Sequence, residues 1–174
     1  MMKQLRCILC FSVCLVLLIL CGCQNASEDQ APQSPPATET TAERLIREID
    51  GAYKEAQKLP ESSTTVGMVN LANTYKEKWV QVADEYYNKL MQYDGVITPA
   101  EHYATSEDLH RYIADMKTAW EQYNQAQCEN YLKVLIACYQ GGTIVGPLIA
   151  QYEYDLQMEW ALELVYICQM FCIA

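Results

Sequence analysis

Apolar residues recur along this chain at the period of an α-helix, most cleanly between positions 68 and 93. Met68, Ala72, Tyr75, Trp79, Val82, Tyr86, Leu90 and Tyr93 follow one another at intervals of three or four, which lines them along one stripe of a long helix. Asp94-Gly95 stops it. A second stripe, Leu109, Ile113, Met116, Trp120, Tyr123, Tyr131, Val134 and Cys138, predicts another long helix with these residues facing the core. Ser106, or Thr105 acting with Asp108, can cap its start, and Gly141-Gly142 breaks its end. The short "GGTIVG" reads as an interhelical turn. Pro147 then suits the first turn of a third long helix, from Leu148 to about Phe171.

Upstream, Thr40-x-x-Glu43 has the form of a capping box. Leu45, Ile49, Ala52, Ala56 and Leu59 continue at helical spacing until Pro60, with Gly51 weakening this shorter helix. The closing "LVYICQMFCIA" is apolar almost all round but short and interrupted by Gln169, so it reads as a buried helix end rather than a membrane span. Nothing alternates as a strand, and no internal repeat is found. The expected fold class is all-α: an antiparallel helical hairpin or bundle of two or three long helices plus a short N-terminal helix, occupying residues 42–174.

The two segments ahead of this domain differ from it in composition. Residues 24–41, "QNASEDQAPQSPPATETT", contain three prolines and no large apolar side chain, so they form no core and read as a disordered tether of ~23 Å root-mean-square span. Residues 1–6 carry Lys3 and Arg6 and no acid, and residues 7–20 are almost purely apolar. That order is a secretory signal, too short for a spanning helix of ~20 residues. "LCGC" at residues 20–23 resembles the lipobox of bacterial lipoprotein precursors. The resemblance implies cleavage after residue 22 and acylation, palmitate among the chains, of Cys23 as the mature N-terminus. Ordinary cleavage near Gly22 is the alternative. Each buried methylene of an acyl chain contributes ~0.8 kcal/mol, so two or three chains hold a protein firmly. The expected organisation is signal 1–22, lipidated cysteine and tether 23–41, and a helical domain facing the periplasm or cell exterior from a membrane.

Loss of the signal changes the charge and cysteine counts. Two cations leave, so the net charge falls from −10 to −12. Such a surface repels phosphate backbones, which argues against nucleic acid, and draws in a basic partner; simple solubility is the competing account. Of nine cysteines, Cys7, Cys10, Cys14 and Cys21 also leave, so Cys7-x-x-Cys10 is no redox or zinc motif. Cys128, Cys138, Cys168 and Cys172 then stand as disulfide partners or free thiols.

Catalytic constellations are missing from the pattern. Glu107-x-x-His110 has the spacing of one half of a carboxylate-bridged di-metal site, but Pro99 stands where His102 would need its acid. His110 therefore reads as a solvated helix-face histidine. There is no G-x-S-x-G, P-loop or Gly-rich dinucleotide turn, and Asp84-Glu85 reads as solvated charge. No enzyme, cofactor or metal is expected. Thirteen tyrosines against two phenylalanines serve half-buried helix packing or a binding surface, with Tyr87, Tyr112 and Tyr139 least committed to the core.

Three segments carry a further resemblance: "MVNLANTYKEKWVQVADEYYNKLM", "LHRYIADMKTAWEQYNQAQCENYL" and "GGTIVGPLIAQYEYDLQMEWALEL". Together they resemble the lysozyme-inhibitor LprI-like N-terminal domain family over about residues 64–168. Ala119, Trp120, Tyr123 and Cys128 match its central A-W-x-x-Y-R-D-x-x-C motif, and Gly141, Gly142 and Thr143 its turn. Asn124-Gln125 replaces the motif's Arg-Asp, and the family's other two cysteines align near Leu71 and Tyr152, which leaves the inherited bridge pattern without partners here. Cys128 and Cys138 lie ~15 Å apart along one helix, against the ~7 Å that a bridge spans. A turn near Thr143 would set Cys128 opposite Met158, away from Cys168 and Cys172. The resemblance implies an envelope-anchored protein, in at least one branch an inhibitor of lysozyme, which is itself cationic. The alternative is a structural or assembly lipoprotein of the envelope with no inhibitory activity.

Overall fold

Helix formation begins at Thr40, whose hydroxyl oxygen accepts the Glu43 N–H at 3.2 Å while the Glu43 carboxylate accepts the Thr40 N–H at 2.8 Å. This closes the expected capping box. The computed structural model describes residues 39–95 and 105–171. The signal, Cys23, residues 24–38 of the tether, the connection 96–104 with His102, and Cys172 lie outside the described residues.

Downstream of the cap, α1 (Thr41–Leu45), a π-helical turn (Ile46–Asp50) and α2 (Gly51–Ala56) run on as one helical stretch. The Gly51 N–H bonds to the Ile46 carbonyl five residues back, so the turn holds one residue more than an α-turn and shifts the buried face. Ala42 and Leu45 are buried before it, Asp50 as its last residue and Tyr53 after it. Ala52 and Ala56, expected inward, are only half-buried and Leu59 is exposed. A short 3-10 helix (Pro60–Ser63) leads into α3 (Thr65–Gln92), capped by the Thr64 hydroxyl on the Gly67 N–H at 3.0 Å.

The α3 stripe packs as its spacing requires, burying Ala72, Trp79, Val82, Ala83, Tyr86 and Leu90; only its first residue, Met68, is largely exposed. Helix α4 (Ser106–Tyr139) opens on the Thr105–Asp108 capping box, and α5 (Val145–Met170) takes Pro147 in its first turn. Contacts climb together along α3 and α5: Val69 meets Gly146, Lys76 meets Glu153, Trp79 meets Tyr154, and the Tyr86 carbonyl meets Cys168. These two helices are therefore parallel neighbours. Helix α4 returns antiparallel to both, with His110 against Tyr93, Trp120 against Trp160 and Gln127 against Tyr152. Trp79, Tyr154, Leu90, Ile113, Leu164, Val165 and Cys168 are the largest fully buried side chains of the core. An aliphatic residue sealed this way stabilises the fold by ~1.5–3 kcal/mol. The architecture is all-α.

The second stripe needs correction. Tyr123 is 53% exposed, and Val134 and Cys138 also face solvent. The side of α4 that meets its neighbours runs through Trp120, Asn124, Gln127, Cys128, Tyr131 and Leu135. Asn124 and Gln127 hold inward positions, so a pattern built on apolar residues slips sideways onto Tyr123. Beyond Tyr131 the helix buries Leu135 alone, and Leu132, Val134, Ile136 and Tyr139 stand in solvent.

Candidate functional site

The motif residues divide between two faces of α4. Trp120 stacks on Trp160 of α5, ring centres 5.0 Å apart and planes 14° from parallel, which anchors the middle of the bundle. Ala119 and Tyr123 point outward. One turn on, the half-buried Cys128 thiol donates to Asn124 Oδ1 at 3.5 Å. Burial, then the Glu153 carboxylate, push its pKa up against the pull of Lys76. A thiol held protonated in this way is a poor nucleophile.

Around Cys128 lies a polar groove of about 290 Å³ lined by Lys76, Val80, Asn124, Gln125 and Glu153. The Lys76–Glu153 ion pair, at 2.5 Å, ties α3 to α5 across its floor. Beside it the Tyr152 hydroxyl donates to Gln127 Oε1 at 3.2 Å and the Tyr152 ring packs on Tyr131, centres 4.4 Å apart. The family resemblance aligns its last-helix cysteine near Tyr152. Here that position packs a phenol against the motif helix, and Cys128 is a free thiol. Cys138 is free and exposed, and Cys168 is free and fully buried, 3.7 Å from the Tyr86 carbonyl. Burial pushes the Cys168 pKa up to about 11.

The glycine pair performs as a turn. Gln140 already lies in the left-handed region (φ 52°), Gly141 follows at φ 72°, and the Gly142 N–H returns to the Tyr139 carbonyl at 2.9 Å. His110 is not simply solvated: its Nε2 lies 3.0 Å from the Tyr93 carbonyl and staples the start of α4 to the end of α3. Among the described residues no cluster of metal-ligating side chains occurs.

A buried polar network escaped the reading of the sequence. The Tyr154 hydroxyl donates to Asp50 Oδ1 at 3.1 Å and accepts from Trp79 Nε1 at 3.2 Å, while Lys54 pairs with Asp50 Oδ2 at 2.7 Å. Desolvation drives the Tyr154 pKa well above the usual phenol range. The Tyr53 hydroxyl donates to Gln151 Oε1. Every member has its partner, so the network fastens the π-turn onto α3 and α5. Its one legible signal is Asp50, an acid inside an apolar-spaced helix. Next to it opens a cleft of about 280 Å³ with Met68, Leu71, Ile144 and Leu148 as apolar walls and Tyr53, Gln57 and Gln151 at its polar side.

Charge is carried on the outer faces. Glu121 and Glu129 on α4, and Glu159 and Glu163 on α5, are exposed and have no ion-pair partner among the described residues. Arrayed at two-turn and one-turn spacing, they leave uncompensated negative potential along the bundle. A family model described as Lysozyme inhibitor LprI matches residues 56–164, from the end of α2 through most of α5. No curated protein and no solved structure shows a match.

Proposed function

The chain belongs to the lysozyme inhibitor LprI family, and we propose that it is an envelope protein, lipid-anchored at Cys23, that captures lysozyme or a similarly cationic protein at the cell surface. The family match across all three long helices carries this reading. The exposed carboxylates of α4 and α5 support it, because a net charge of −10 before processing steers a cationic hydrolase toward the domain. Capture needs no chemistry, and the raised pKa of Cys128, its half-buried setting and the saturated Asp50–Tyr154 network suit binding rather than catalysis.

Purified protein mixed with hen lysozyme tests it. Binding and inhibition should be present at low ionic strength and weaken as salt rises past about 0.15 M, where screening shortens to ~8 Å. No binding at low salt overturns the reading. Anchorage is checked separately: mass spectrometry should find an acylated Cys23 peptide, and Cys23→Ser should release the protein from membranes. The second reading, an assembly lipoprotein, draws on the outward tyrosines Tyr112, Tyr123, Tyr139 and Tyr166. A pull-down from solubilised membranes that returns one stoichiometric envelope protein and no lysozyme would favour it.

A further inference from the structure

The hairpin tip between α4 and α5 gathers exposed apolar side chains into one segment. Leu132, Val134, Ile136, Tyr139 and Ile144 are all exposed there, on several sides of the helix end at once. A helix end that is apolar all round is stable where something apolar covers it. The hairpin segment also lacks anions. Between Glu129 and Glu153 the chain holds a single charged residue, Lys133, although it carries 22 acidic residues in all. This distribution separates the candidate occupants. A cationic protein finds no carboxylate on the hairpin segment itself and is drawn to the acidic flanks instead. A second copy laid twofold on the same patch brings two Lys133 ammonium groups into one interface with no acid to face them.

We propose that the α4–α5 tip is a membrane-docking surface that inserts shallowly into the headgroup boundary of a lipid bilayer. Leu132, Val134 and Ile136 enter the acyl edge. Tyr139 sits at headgroup depth with its hydroxyl toward water, and Lys133 extends to a lipid phosphate. No described helix is long and apolar enough to cross a membrane, so the tip lies in the interface and does not span it. Contacts of Asp50 with Tyr154 and Tyr53 with Gln151 show α1 and α2 descending toward the tip, so the tether joins at the far side. The fifteen tether residues ahead of Glu39 extend to at most ~54 Å, longer than the ~39 Å of α5, which lets an anchored chain lay its tip on the same membrane. Capture on the flanks and docking at the tip can thus proceed together.

The inference rests on the envelope reading only for the nearness of a membrane, and its test removes even that dependence. Residues 23–174 with Cys23→Ser and an N-terminal hexahistidine tag, which keep every described element, are held on phosphatidylcholine vesicles doped with nickel-chelating lipid. Cys138, an exposed thiol within the tip, reports its own burial. Its labelling by a membrane-impermeant maleimide is read by peptide mass spectrometry, on vesicles and after release with imidazole. A control thiol, Glu121→Cys, reports an exposed face away from the tip. Cys138 labelling should fall about tenfold on vesicles, a ratio equivalent to ~1.4 kcal/mol, with the control unchanged. Ile136→Asp, at an exposed position, should restore labelling with the same helical circular dichroism. Equal labelling of Cys138 on and off vesicles overturns the proposal. So does protection that persists after release with a doubled mass by light scattering, which would make the tip a self-association face.

Discussion

Tyr154 holds two partners at once, and its hydroxyl is the joint between the N-terminal helical stretch and the core. Tyr154→Phe keeps the ring but leaves Asp50 Oδ1 and Trp79 Nε1 short of a partner. A loss of ~1–3 kcal/mol is expected by urea denaturation, a typical cost for a buried unsatisfied polar group. Cys168 supplies a pH signature. Its thiol titrates at about 11 in the fold against an ordinary value of 9.0. Between those values the unfolded chain sheds a proton that the native state keeps, so stability falls as pH rises through that window. The buried tyrosines Tyr53 and Tyr154, also shifted upward, add to the decline at its upper end. Cys168→Ala should show a shallower decline of melting temperature over pH 9–11 than the parent chain. At this scale the sequence disclosed Trp120 as a packing residue but not Asp50 or Tyr154, because pairing across |i−j| of 104 leaves no periodic trace.

Elements were legible where one face is apolar and hidden where polar residues take inward positions. The α3 stripe and both capping boxes follow from local chemistry, so their limits could be read from residue spacing and caps. The first helix misled by phase: five residues in π geometry turn the later face from Ala52 and Ala56 onto Asp50 and Tyr53. The α4–α5 turn offers a test at this scale. Gln140 adopts φ 52° with a side chain that costs roughly 1 kcal/mol there, and Gln140→Gly should raise stability by up to about that amount. Gly141→Ala should do the reverse at φ 72°, although nothing crowds its Cβ position within 4 Å. Chemical denaturation of both variants side by side reads the two signs.

At the scale of the described domain, carboxylates line the outer faces of α4 and α5, and the hairpin segment between Glu129 and Glu153 carries exposed hydrocarbon without acid. Composition alone revealed the acidity but not this separation, because the exposure of residues 132–144 depends on which faces the neighbouring helices cover. Replacing Glu159 and Glu163 by lysine should slow association with a cationic lysozyme by about tenfold at low salt, and much less at high salt, in surface-binding kinetics. The parallel pairing of α3 with α5 has a further consequence, for the order of events in folding. The contacts that seal the core join residues 75 to 104 positions apart, and one partner of each lies in the last helix. Loop closure over such a separation precedes any gain from burial. A chain still being synthesised therefore has α3 and α4 but no groove to fill, and the domain becomes a cooperative unit only when α5 emerges. Emergence of α5 is itself the trigger for folding.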